Sequence, residues 1–172
     1  EKYCFVVIAG DRGLAGGYNN NVLKLAMAEM EGKDVVVQPI GKKATEYFRS
    51  HNVPILNTLY PVAEAVNAGA CFTMANTICK EYLAGTFDQV VLCYTKFVTV
   101  LTQTASSLPL LALSIVGSGK KPEPRQGLTI YEPDSVSVFN AIVPEYLGGI
   151  IYGALRESLC SEQAARRTAM DS

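Results

Sequence analysis

With 172 residues, 49% of them hydrophobic, and a formal net charge of −1, the chain can bury a full core in one domain and has neither a disordered nor a nucleic-acid-binding composition. A near-neutral chain has no field with which to gather nucleic acid. No apolar run approaches the roughly twenty residues that cross a bilayer.

Tyr3 to Ala9 reads as a first strand. Tyr3, Phe5 and Val7 fall on one face and Cys4, Val6 and Ile8 on the other, so an apolar character on both sides points to a central parallel strand. A glycine-rich turn with Asn19, Asn20 and Asn21 as capping residues then leads into a helix from Val22 to Met30, ended by Gly32. Asp34–Ile40 is a second strand, and Gly41 opens a basic helix, Lys42 to Arg49, with Ala44, Tyr47 and Phe48 inward. Strand and helix alternating at this spacing imply right-handed crossovers and a parallel sheet. Val53–Leu56 is a short extended piece. Pro61 to Leu83 follows as a long helical pattern that Gly69 weakens or breaks in two.

Gln89 to Tyr94 is a third parallel-type strand. From there β-branched residues over Phe97–Thr104, then Leu108–Leu113, predict antiparallel strands added to the sheet. Gly117–Gly127 is a polar loop, and Leu128–Glu132 a last short strand. Asp134 or Ser135 caps a short helix through Val143, and Pro144 starts another. In that last helix Leu147, Ile150, Ile151, Ala154, Leu155 and Leu159 form one apolar stripe. Pro144–Ser172 as helix would measure about 44 Å, so its second half must project or pack on something absent from the chain. The start at Glu1 and the end inside a helix lead us to expect a piece excised from a longer chain. The fold class expected is therefore α/β: a Rossmann-like three-layer domain with a mixed, mostly parallel sheet over residues 1–143, plus the base of a long C-terminal helix over 144–172.

Five cysteines, an odd and scattered set in apolar segments, read as buried free thiols of a reducing compartment. The single histidine, His51, has no second ligand near it and is expected at a helix end. No zinc site and no histidine-based acid–base site is expected. The feature that invites a chemical reading is the turn Gly10–Gly17, since glycines before a helix aim amides and the positive dipole end at an anion. Its spacing, with Gly10, Gly13 and Gly16 every third residue, matches neither the dinucleotide fingerprint nor the P-loop. Asp11 would repel a phosphate, and Arg12 either attracts one or pairs with Asp11. The structural alternative is that the glycines allow close backbone approach while Asp11 and Arg12 form an ion pair or a cap.

The string Gly10-Asp11-Arg12-Gly13-Leu14-Ala15-Gly16-Gly17-Tyr18-Asn19 resembles the Ser-Asp-Arg-Gly-Leu-Cys-Gly-Gly-Tyr/Leu-Asn segment of the gamma subunits of F-type rotary ATP synthases, with Ala15 where many members carry Cys. Tyr152 to Met170, reading Tyr-Gly-Ala-Leu-Arg-Glu-Ser-Leu-Cys-Ser-Glu-Gln-Ala-Ala-Arg-Arg-Thr-Ala-Met, is similar to that family's second hallmark, with Cys160 replacing Ala and Arg167 replacing Met. Tyr131-Glu132-Pro133-Asp134 matches a third segment in the right order.

The resemblance implies a non-catalytic central-stalk rotor subunit of a proton-transporting ATP synthase, whose asymmetric shaft couples rotation of the membrane ring to ATP synthesis or hydrolysis. Implied partners are the alpha and beta subunits of the catalytic hexamer, an epsilon (delta-type) stalk subunit and the membrane c-ring, with no nucleic acid. The implied location is the cytoplasmic face of a bacterial plasma membrane or the matrix side of a mitochondrial inner membrane; the cysteine insertion of plant-type relatives is absent. Carried over by position, Asp11, Arg12, Gly13, Gly16 and Gly17 are a structural family motif. Thr129, Tyr131 and Glu132 would touch the ring or epsilon, and Ala164, Arg166, Arg167 and Met170 would form the base of a coiled coil. The reading set against it is a nucleotide- or anion-binding α/β enzyme domain using Gly10–Gly17, and a generic α/β interaction module stands third.

Overall fold

The computed structural model describes residues 1–13, 17–112 and 135–171. Four strands form one sheet in the order β2-β1-β3-β4: β1 is Lys2–Ile8, β2 Asp34–Ile40, β3 Gln89–Thr99 and β4 Thr102–Leu111. β1 pairs in parallel with β2 and β3, while β4 runs antiparallel to β3. The helices are α1 (Tyr18–Met30), α2 (Lys42–Ser50), α3 (Ala68–Leu83) and α4 (Ser135–Asp171). The sheet is mixed and mostly parallel, as the strand pattern implied.

The alternation read in β1 divides the core. Phe5 and Val7 face α1 and α2, meeting Val22, Leu23, Ala26, Ala44 and Phe48. Cys4, Val6 and Ile8 face α3 and α4, meeting Met74, Ile78, Leu147 and Ile151. Burial on both faces explains why β1 is apolar at every position, and the three layers follow from it. The β2–α2 junction needs a glycine. Gly41 has φ of 101°, and a Cβ there would collide with the Ala9 carbonyl.

Several boundaries differ from expectation. α1 starts at Tyr18, so Asn19, Asn20 and Asn21 lie inside its first turn; its N-cap is Gly17, which makes no side-chain cap bond. The Pro61–Leu83 pattern is a 3-10 helix, Ala63–Ala65, followed by α3, and the break falls at Asn67, whose side chain accepts from the Ala70 amide. Asn capping wins there because its oxygen satisfies one of the new helix's free donors. β3 runs on to Thr99 and turns at Val100 and Leu101 into β4, so Phe97–Thr104 is a hairpin and not one strand. Val53–Leu56 is extended as read, with Ile55 bridging Val37 in parallel.

The largest correction concerns the C-terminal segment. α4 is a single helix of 37 residues with Pro144 inside it, not two helices meeting at Pro144. A proline costs an internal helix one hydrogen bond and some crowding, but buried Phe139, Leu147 and Ile151 lie on both sides of it and hold the axis together. Phe139 stacks on Tyr82 of α3 with ring centroids 5.8 Å apart. Gly148 lets α3 approach closely, since a Cβ there would collide with the Phe72 ring. By length and composition alone α4 is also long and apolar enough to cross a membrane, although it contains no uninterrupted apolar run of that length. Its apolar stripe packs on α3 and β3.

Candidate functional site: the clamp between the glycine turn and the long helix

Strand lengths create the problem that this region solves. β1 ends at Ile8, and its pairing with β3 stops at Cys93, so beyond that point β3 has no strand on the β1 side. Backbone groups left there need partners. α4 supplies them from side chains. The Thr95 amide donates to Ser158 Oγ at 3.1 Å, Ser161 Oγ donates to the Thr95 carbonyl at 3.4 Å, and the Phe97 amide donates to Glu157 Oε2 at 2.9 Å. Each bond nets about 1 kcal/mol, whereas a buried orphan costs roughly 1–3 kcal/mol, so the serines fix where α4 lies on the strand.

The glycine turn closes the other side. Tyr18 is buried and its hydroxyl donates to the Ser158 carbonyl at 2.7 Å. Burial first, and the negative charge of Glu162 second, hold that phenol well above its ordinary pKa, so it stays a neutral donor. Asn19 Oδ1 accepts the Gly10 amide at 2.7 Å while its Nδ2 donates to the Arg12 carbonyl at 2.8 Å, which sets the turn's shape. Asp11 is a cap, as one sequence reading had it, but for other elements than α1. Its Oδ1 accepts the amides of Lys42 at the start of α2 and of Ala63 at 2.8 Å, and its Oδ2 accepts that of Glu64.

Against Gly10 lies Glu162. Its side chain is only 5% exposed, and a Cβ on residue 10 would sit 2.6 Å from its Oε2, so glycine is what makes room for the carboxylate. Arg166 Nη2 donates to Glu162 Oε2 at 3.0 Å. Burial is the main reason that Glu162 titrates above the ordinary glutamate value, with Arg166 opposing and the charges of Asp11 and Glu64 adding to the rise.

These contacts bring the two hallmark segments together. Of the motif residues, Asp11 and Arg12 lie in the clamp, Gly13 sits beside the Lys43 side chain, and Gly17 caps α1. Gly16, Thr129, Tyr131 and Glu132, with the strand read at Leu128–Glu132, lie outside the described residues. Arg166 and Ala164 are half-buried, while Arg167 and Met170 are exposed on the last turns of α4, Met170 at 76%. Glu162, Ser158 and Ser161 were not singled out from the sequence. A signal was present: the apolar stripe of α4 continues at helical spacing into these three polar residues, and a polar continuation of a buried stripe demands partners.

The Gly10 end of the turn is poorly supplied as an anion site. The Gly10 amide is taken by Asn19, a protein carboxylate occupies the space over Gly10, and the cation beside it already pairs with that carboxylate. A groove between α1 and α2, lined by Asn19, Asn20, Lys43, Glu46, Tyr47 and Ser50, has one lysine, whose ammonium lies 3.8 Å from Glu46. Among the described residues no group of acidic, histidine and cysteine side chains is arranged to hold a metal. Four cysteines are buried free thiols and Cys160 is exposed, while His51 ends α2 and stacks on Tyr47.

A mixed α/β sheet whose inner strand β3 is tied to a long helix through side-chain clamps is the class of domain that these residues build. The comparisons with known proteins say which. The family described as ATP synthase matches residues 1–172, and the chain belongs to it. Its relatives are gamma chains: that of Ruminococcus albus is 42% identical over 172 residues, covering 97% of this chain and 59% of the relative. The "ATP synthase gamma chain, sodium ion specific" of Acetobacterium woodii is 34% identical, covering 100% of this chain and 63% of the relative. The chain thus spans about three-fifths of the length of these curated relatives. Among solved structures, a chain of the central stalk/c-ring of the Tetrahymena thermophila mitochondrial ATP synthase shares the fold with a TM-score of 0.65 at 22% identity, over 99% of this chain and 75% of that one. A chain of the Euglena gracilis mitochondrial ATP synthase rotor does so at 0.64 and 17% identity, over 99% of this chain and 66% of that one.

Proposed function

We propose that this chain is the globular part of a central-stalk rotor subunit, which couples rotation of a membrane ring to ATP synthesis or hydrolysis on a catalytic hexamer and performs no chemistry itself. The observation that carries the proposal is the clamp: a helix that must transmit torque needs a rigid root, and Ser158, Ser161, Tyr18 and Glu162 root α4 in the sheet where its last turns leave the body. Past Glu162 no described residue of α4 is buried. Gly149 and Gly153, with open space where a Cβ would point, leave room for a second helix alongside. In this reading residues 1–143 are the globular domain and 144–172 the start of a coiled coil with Ala164, Arg166, Arg167 and Met170 at its base. Thr129, Tyr131 and Glu132 face the membrane ring and the epsilon subunit, and the alpha and beta subunits surround the shaft.

The complex would sit on the cytoplasmic face of a bacterial plasma membrane, since bacterial gamma chains such as those of Ruminococcus albus and Acetobacterium woodii are among its relatives. The driving ion is proposed to be the proton, although one relative is named sodium ion specific. The test is assembly. The full-length protein is mixed with alpha and beta subunits and scored for a stable complex with ATPase activity. Formation of that complex only when the chain is present supports the proposal. Failure to assemble, together with submillimolar nucleotide binding by the chain alone, would favour the enzyme reading of Gly10–Gly17.

A further inference from the structure

Glu162 is placed unlike a simple salt-bridge partner. Its carboxylate lies over the Gly10 backbone, where the Gly10 amide is already donated to Asn19. Among the described residues the sole hydrogen bond given to it is from Arg166 of its own helix, one turn on. The charged and titratable groups facing it from the packed elements are Asp11 of the β1–α1 turn, Glu64 of the 3-10 helix and the neutral phenol of Tyr18 on α1. Two further carboxylates therefore act on Glu162 at the root of the projecting helix, while Glu162 itself is buried, is the one paired with Arg166, and carries the contact between helix and turn.

We infer that Glu162 is a charge-dependent latch: in its neutral form it seats the outgoing turns of α4 on the Gly10 turn, and in its ionised form it loosens them. Neutral Glu162 is cheaper to bury and ends the repulsion from Asp11 and Glu64, at the cost of the charged pairing with Arg166. The direction of its titration supports the sign. A carboxyl raised in the docked state contributes docking stability that is fully present below its undocked value and is lost as the pH rises through the raised one. Acidification of the surrounding compartment would stiffen the root of the helix, and alkalinisation would relax it. The inference concerns how α4 is held and does not rest on the rotor reading, which assembly tests separately.

The experiment follows the full chain by NMR. The Glu162 side-chain carboxyl is titrated, and the protection of the Thr95 amide, bonded to Ser158 of α4, is measured by hydrogen exchange from about pH 5 to about pH 8, corrected for intrinsic exchange. The expected result is a Glu162 midpoint above that of ordinary glutamates. Thr95 protection should fall as the pH rises, about tenfold for each unit of elevation, and should stay high and flat in Glu162→Gln. A midpoint at or below the ordinary value would overturn the latch. So would a raised midpoint with protection that does not follow it, or an equal slope in Glu162→Gln. The wild-type titration decides even if the variant folds poorly.

Discussion

At the level of single residues, the glycine at position 10 and the carboxylate at position 162 occupy one volume. Gly10→Ala pushes a Cβ to 2.6 Å from Oε2, and since that oxygen ends a flexible side chain, the cost is a displaced Glu162 worth about 1–2 kcal/mol, not a broken fold. The same change in a Glu162→Ala background should cost much less, a non-additivity that urea unfolding of the two single variants and the double variant measures directly. Asp11 gathers three backbone amides from two elements, so Asp11→Ala should destabilise by about 2 kcal/mol, and Asp11→Asn, which keeps one acceptor oxygen, by about half as much. Ser158→Ala leaves the buried Thr95 amide without its acceptor, and the expected loss is roughly 1–3 kcal/mol.

Among the elements, α4 offers a contrast within six residues. Gly148→Ala drives a Cβ into Phe72 and should loosen the α3–α4 crossing, whereas Gly149→Ala and Gly153→Ala meet nothing within 4 Å and should each stabilise the chain by about 0.5–1 kcal/mol through helix propensity. Thermal unfolding of the three variants, with the first lower and the other two higher than the parent, checks both halves. The same helix shows what was legible in the sequence. Its stripe Leu147, Ile151, Ala154 and Leu155 was readable because burial follows the helical period. Its continuity through Pro144 was not, because a local breaker signal competes with anchoring by Phe139 on Tyr82, a contact with a residue far away in sequence. The β3–β4 hairpin is hidden in the sequence for a similar reason. Val100 and Leu101 are exposed apolar residues with none of the Gly, Asn or Asp that mark a turn.

For the whole molecule, the resemblance of three strings carried the family, while the physical meaning of two of them emerged only in three dimensions, where Gly10 and Glu162 of different hallmarks touch. The cysteines are a check on the core as described. Burial pushes the thiols of Cys4, Cys79 and Cys93 up to about 12 and that of Cys71 to about 11, so at neutral pH a thiol reagent should label Cys160 alone in the folded chain and all five cysteines in denaturant. Rapid labelling of a second thiol under native conditions would mean that one face of the sheet is open.

The most direct test of the rotor reading is rotation itself. Full-length protein bearing Lys33→Cys, an exposed position remote from the clamp, and Cys160→Ser would be assembled with the catalytic subunits, and a bead would be attached at residue 33. Sustained one-way rotation of the bead on addition of ATP is the predicted result. A complex that hydrolyses ATP at full rate while the bead stays fixed would contradict it.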